Sequence, residues 1–123
     1  MDQVIDLDEA AKAIAGRNQA WRRAGLTVSS LTWRDAASPW PQRIVTDRST
    51  ATDPDSVGVR VQGPGDAELH VVLYRGGWAD IDYTTVDGHL DTLHGPEIGS
   101  SQDFGLLLDN CVTRTFGIKI RLL

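Results

Sequence analysis

The stretch Leu69–Thr85, LHVVLYRGGWADIDYTT, decides how this chain is read. Leu69, Val71 and Leu73 alternate with His70, Val72 and Tyr74, the period of two of a strand with one side in a core. After Arg75-Gly76-Gly77, Ala79, Ile81 and Tyr83 alternate with Trp78, Asp80 and Asp82. The two runs predict a β-hairpin, in which the glycines supply the positive φ of a tight turn. Its second strand has one apolar side and one Trp/Asp/Asp side. If both faces of the sheet were covered, Asp80 and Asp82 would need buried partners, so one face is expected to be open.

Upstream, Leu7 to Ala24 predicts a helix. Asp6 or Asp8 caps it, Glu9 sits at its positive end, and Arg22 and Arg23 sit at its negative end before Gly25. Ala10, Ala13, Ile14, Arg17, Ala20 and Trp21 form its stripe, and the interior Gly16 suggests close packing or a weak helix. Leu26 to Trp33 reads as a strand, and Arg34 to Gln42 as irregular because of Pro39 and Pro41. Trp40, between those prolines, is either a surface aromatic or a lid over the core, and the lid is the expectation. Arg43 to Thr46 is a candidate short strand, Asp47 to Asp55 a polar loop, and Ser56 to Gln62 a strand with Val57, Val59 and Val61 on one side. Gly63 to Asp66 turns the chain into the hairpin.

Downstream, Val86-Asp87-Gly88 is a turn, His89 to Leu93 a last strand, and His94 to Ser100 a loop. Ser100 then caps a second helix with the stripe Phe104, Leu107, Leu108, Cys111 and Val112. Leu122 and Leu123 end a tail that either extends or returns as a strand. The short turns predict an antiparallel meander of about four to five strands with a helix before and after it, both helices on one face. The fold class is α+β, in one domain of 123 residues.

Composition narrows the function classes. The chain is 41% hydrophobic and 24% charged, ordinary values for a globular protein. A single cysteine, Cys111, rules out an internal disulfide, and the acidic N-terminus does not resemble a secretory signal. With no apolar run long enough for a membrane span, a cytoplasmic protein is expected. The net charge of −5 argues against general nucleic-acid binding. Gly76 to Thr113 contains no Lys or Arg but holds Asp80, Asp82, Asp87, Asp91, Glu97, Asp103 and Asp109. These form either an acidic surface or ordinary solvated carboxylates spread over several faces.

Catalytic and metal patterns are thin. Asp80 and Asp82, with Asp91 nearby, could offer oxygen ligands to Mg²⁺ or Ca²⁺, but a D-x-D pair is a weak pattern. His70, His89 and His94 lack metalloprotease spacing and read as strand or loop residues. Cys111 lies on the apolar stripe and reads as a small buried hydrophobe. No nucleophile elbow, phosphate-binding glycine loop or dinucleotide fingerprint occurs, so neither a cofactor nor an enzyme is indicated. Trp78 with Asp80 and Asp82 instead has the chemistry of a protein interface that meets Arg or Lys; burial of Trp78 under a helix or the Trp40 loop is the alternative.

The runs AELHVVLYRGGWADIDY and SSQDFGLLLDNCVTRTF, within Ala67 to Phe116, resemble small immunity proteins of bacterial polymorphic-toxin systems, with the TriTu-like group the nearest comparison. The resemblance lies in a strand, a glycine turn, an aromatic-plus-acid strand and a Ser/Asp-opened C-terminal helix. It implies a cytoplasmic antitoxin, monomeric when free, that binds a toxin (for this group an ADP-ribosyltransferase) and blocks its active site. Trp78 would then be the anchor, and Asp80, Asp82, Asp87, Asp91 and Glu97 its charge partners. A small acidic secretion chaperone and an uncharacterised small enzyme are the alternatives.

Overall fold

The computed structural model describes residues 5–94 and 97–118; the C-terminal tail read at Leu122 and Leu123 lies outside them. The order is α1 (Leu7–Arg23), β1 (Thr27–Val28), β2 (Thr32–Asp35), β3 (Arg43–Val45), β4 (Pro54–Gln62), β5 (Glu68–Tyr74), β6 (Trp78–Thr84), β7 (Leu90–His94) and α2 (Ser101–Phe116). The strands form one antiparallel sheet in the order β3-β2-β4-β5-β6-β7, with β1 also paired to β4. This is the α+β fold expected, with more strands than expected.

The extra strands arise where Leu26 to Trp33 was read as one. The chain leaves the ladder after Val28 and rejoins it at Thr32, both times against β4. Ser29 bridges the gap: its N–H donates to the Arg60 carbonyl at 2.9 Å, and its hydroxyl accepts the Arg60 N–H at 3.0 Å. A side chain thus replaces one rung of the ladder. The irregular segment also starts later than the prolines suggested, because Arg34 and Asp35 still pair with β3 and β4.

Asp35 holds that corner. It is buried, and its carboxylate accepts the N–H groups of Ala37, Thr52 and Asp53 at 3.0–3.1 Å. The bonds from Asp53 and then Thr52 hold its pKa below the ordinary aspartate value. Trp40 does not act as a lid: it is 81% exposed, so the corner is closed by polar bonds rather than by the indole.

The core lies between one sheet face and both helices. Val57, Val59, Val61, Leu69, Val71, Leu73, Ala79 and Ile81 alternate inward, and Ile14 and Trp21 of α1 and Phe104, Leu108 and Val112 of α2 complete the cluster. α1 packs on β1 and β4, α2 packs on β5, and the helices pack on each other. Asp6 caps α1 by accepting the Asp8 and Glu9 N–H groups at 3.0 and 3.2 Å. At the other end Gly25, at φ +90°, lets Leu26 N–H return to the Trp21 carbonyl at 3.0 Å. Ser100 caps α2 by accepting the Asp103 N–H at 3.1 Å.

Two residues of α1 behave differently from their sequence reading. Gly16 is exposed and a Cβ there would meet nothing, so it does not mark a close contact. Arg17, read as a member of the stripe, reaches across to α2. Its guanidinium binds both carboxylate oxygens of Asp109 at 2.7 and 3.1 Å, in space left by the missing side chain of Gly105.

Candidate functional site: the open face of the sheet

Residues that alternate away from the helices form the second sheet face, and the register places them in rows. One row runs Ile44, Arg34, Ser56, Tyr74, Trp78 across β3, β2, β4, β5 and β6. The next runs Thr32, Gly58, Val72, Asp80, and the one after it Arg60, His70, Asp82, Thr92. Neither helix covers this face. Trp78 is 49% exposed and Ile44 65% exposed on it.

Within the first row, Arg34, Tyr74 and Trp78 form a stack. Arg75-Gly76-Gly77 forms a three-residue turn closed by Gly77 N–H to the Tyr74 carbonyl at 3.0 Å, which sets Tyr74 directly opposite Trp78. Their rings stack with centroids 3.9 Å apart and planes 14° from parallel. The Arg34 guanidinium lies over Tyr74, 5.3 Å from its centroid, while binding both oxygens of Asp55 at 2.8 and 2.7 Å. The sequence Asp55, Arg34, Tyr74, Trp78 is therefore carboxylate, guanidinium, ring, ring. Burial, reinforced by the Asp80 charge, raises the pKa of the Tyr74 phenol, with Arg34 opposing.

The cations near this face are already engaged by carboxylates of the same chain. Arg34 is held by Asp55, Arg60 by Glu68, and Arg75 by Asp53 at 2.8 Å. His70 faces Arg60 on one side and Asp82 on the other; burial and then Arg60 lower its pKa, so it is neutral at pH 7. Asp82 accepts a hydrogen bond from the neutral Thr92 hydroxyl at 2.8 Å. Trp78, Asp80 and Asp82 thus share an open face whose arginines are spent internally.

The other acidic candidates lie elsewhere. Asp91 pairs with Tyr83 and sits on the helix side of the sheet, accepting the Tyr83 hydroxyl at 3.4 Å and the Thr92 N–H at 2.8 Å. Asp87 is in the β6–β7 turn, at the far end of β6 from Trp78, where it accepts the Thr85 hydroxyl. Glu97 is exposed in the connection to α2, next to Ile98, whose N–H bonds to the Gly77 carbonyl beside Trp78. The structure brings together Trp78, Asp80 and Asp82, with Glu97 beside the turn that precedes them.

Three residues of the face were missed by the sequence reading. Tyr74 was recoverable, because a three-residue turn puts Tyr74 and Trp78 in register. Arg34 and Asp55 were not, because both fell in stretches read as irregular.

The remaining chemistry is structural. Cys111 is buried, and burial pushes its thiol up to about 11, the behaviour of a packed hydrophobe. Among the described residues no group of three or more His, Cys, Asp or Glu is placed to hold a metal. A depression of about 580 Å³ between α1 and the start of α2 contains Lys12 and Arg17, paired with Glu9 and Asp109. No described helix is long and apolar enough to cross a membrane. No family model, curated protein or solved structure matches the chain.

Proposed function

We propose that this chain is a protein-binding module that works through its open sheet face, and that it serves as an immunity protein neutralising a bacterial toxin. The observation that supports binding is Trp78: half exposed, fixed against Tyr74, and flanked along its strand by Asp80 and Asp82. A large ring already held in one conformation loses little entropy on binding, the property of an interface anchor. The immunity role is supported by the resemblance of Ala67 to Phe116 to that class of proteins. The expected mode is occlusion of the toxin's active site, with an ADP-ribosyltransferase as the toxin the resemblance implies. Carboxylates on the face would speed encounter with a basic cleft and make association slower in salt.

The test is capture of the partner from the native host, its identification by mass spectrometry, and its expression with and without this chain. The expected result is a partner that stops growth alone and is neutralised on co-expression. Trp78→Ala should fold normally but bind more weakly by roughly 2 kcal/mol or more. A partner held equally tightly by Trp78→Ala, or one with no toxicity of its own, would overturn the proposal.

A further inference from the structure

The sheet ends at β7, and among the described residues no strand lies beyond it. The Thr85 N–H donates to the His89 carbonyl at 2.8 Å, which fixes the parity of the ladder behind it. β6 and β7 therefore exchange backbone bonds at the Tyr83–Asp91 and Ile81–Leu93 pairs. Leu90 and Thr92 alternate with those pairs, so their N–H and carbonyl groups point outward from the sheet. The Thr92 N–H has only a stand-in: it donates to the carboxylate of its own neighbour, Asp91, at 2.8 Å. Leu90, at the head of the strand, is 72% exposed.

The opposite edge is built differently. β3 has three residues, and the Ser38 hydroxyl accepts the N–H of the first, Arg43, at 2.7 Å. β7 has five, with no Pro, Gly, Lys or Arg among them, so it lacks most devices that blunt an edge. Its charge has one sign. Asp91 is on the strand, Asp82 stands opposite Thr92 on β6, and no Lys or Arg occurs from Gly76 to Thr113. These carboxylates select among the strands that could pair here. Two β7 strands paired antiparallel about Thr92 would bring both Asp91 side chains onto one face within diagonal reach, which disfavours a second copy. A strand carrying Lys or Arg gains from the same charges, and that attraction needs no vacant acceptor.

We infer that the outer edge of β7 docks an extended, basic segment of another protein as an added strand. The incoming carbonyl takes the Thr92 N–H from Asp91, so that donor is bonded before and after. Alternate residues of the added strand lie beside Thr92 on the open face and beside Asp91 on the helix side. The edge adjoins the open face where its third row ends, at Thr92. Pairing here uses backbone groups and does not depend on Trp78.

The probes are capped peptides: Lys-Val-Lys-Val-Lys, Glu-Val-Glu-Val-Glu, and the lysine peptide N-methylated at every residue. Each is titrated into the full chain and followed by ¹H–¹⁵N NMR and amide exchange. The lysine peptide should shift the Leu90 and Thr92 amides and slow their exchange, at an apparent affinity about two- to fivefold above that of the glutamate peptide. The N-methylated peptide keeps the charge, but its methyl groups block strand pairing, and it should protect neither amide. Thr92→Pro removes the outward N–H and none of the bonds to β6, and should abolish the response while the other amides report an intact fold. Protection by the N-methylated peptide, equal response to the two charges, or shifts centred away from Leu90 and Thr92 would overturn the docking edge. So would protection of the Leu90 amide without peptide: rising with protein concentration, it means a second copy, and constant, an edge covered by the chain itself. Trp78→Ala should leave the edge response unchanged, so this inference and the open-face reading fail separately.

Discussion

Ile98 and Gly77 meet backbone to backbone: the Ile98 N–H donates to the Gly77 carbonyl at 2.7 Å, and the Ile98 carbonyl lies where a Cβ on Gly77 would stand only 2.8 Å away. Ile5 N–H bonds to the Arg75 carbonyl of the same turn at 2.8 Å. The approach to α1 and the approach to α2 are therefore both tied to the hairpin turn that fixes Tyr74 against Trp78.

Gly77→Ala should be among the more damaging small substitutions. Residue 77 sits at φ +91°, and its new Cβ would collide with a carbonyl that cannot move without breaking the Ile98 bond. Gly25→Ala is the matched control, with a φ of +90° but open space around it. Urea unfolding should show a loss on the order of 1–2 kcal/mol for Gly25→Ala and a clearly larger one for Gly77→Ala. Equal losses would show that the Ile98 contact carries no weight.

Gly16→Ala should stabilise the protein. The position is helical, exposed and unobstructed, so the substitution gains helix propensity at no steric cost. A gain of about 0.5–1 kcal/mol in the same unfolding experiment is expected.

Asp35 makes the fold sensitive to acid. Its pKa in the folded chain is lowered from 3.8 by three backbone donors, so the unfolded state binds the proton more readily. Its contribution is complete above the unfolded-state value and is lost as the pH falls through the lower folded-state value. Asp35→Asn should be less stable near neutral pH and should lose less on going from about pH 7 to about pH 3. Parallel pH profiles for the two proteins would contradict this origin of the acid limb.

Thr115 offers the opposite case. Its hydroxyl is buried in α2 and has no hydrogen-bond partner among the described residues, so within them the oxygen has left water without compensation. Thr115→Val keeps the shape and removes that oxygen, and should leave stability unchanged or raise it by up to about 1 kcal/mol. A loss of more than that would mean the hydroxyl is satisfied in solution.

Much of this fold was legible because its strongest signals are local. Alternation in β5 and β6 told which residues face the core, and Asp6 or Asp8 for α1 and Ser100 for α2 announced the helix starts. What stayed hidden depends on contacts distant in sequence. LTVSSLTW alternates as one strand, and only the Ser29 hydroxyl bond to Arg60 shows where it breaks. Asp35 looked like a loop acid because its three donors come from two separate segments. Trp40 was expected as a lid over the core rather than a surface aromatic, but its corner was already closed by polar bonds. At the site, strand parity placed Trp78, Asp80 and Asp82 on one face. Asp91 fell on the other, because its place in the β6–β7 register could not be read without the pairing.

The unequal lengths of the connections have a kinetic consequence. Three- to five-residue turns join β4 to β5, β5 to β6 and β6 to β7, so those pairings close small loops and need little chain search. β1 and β2 must instead find β4 across the corner that Asp35 organises. The folding transition state should therefore be polarised toward the β4–β7 meander. Val71→Ala in the meander should slow folding, whereas Trp33→Phe in β2 should leave the folding rate nearly unchanged and accelerate unfolding. On that order of events, the stacked pair that anchors the open face assembles before the arginine that buttresses it arrives.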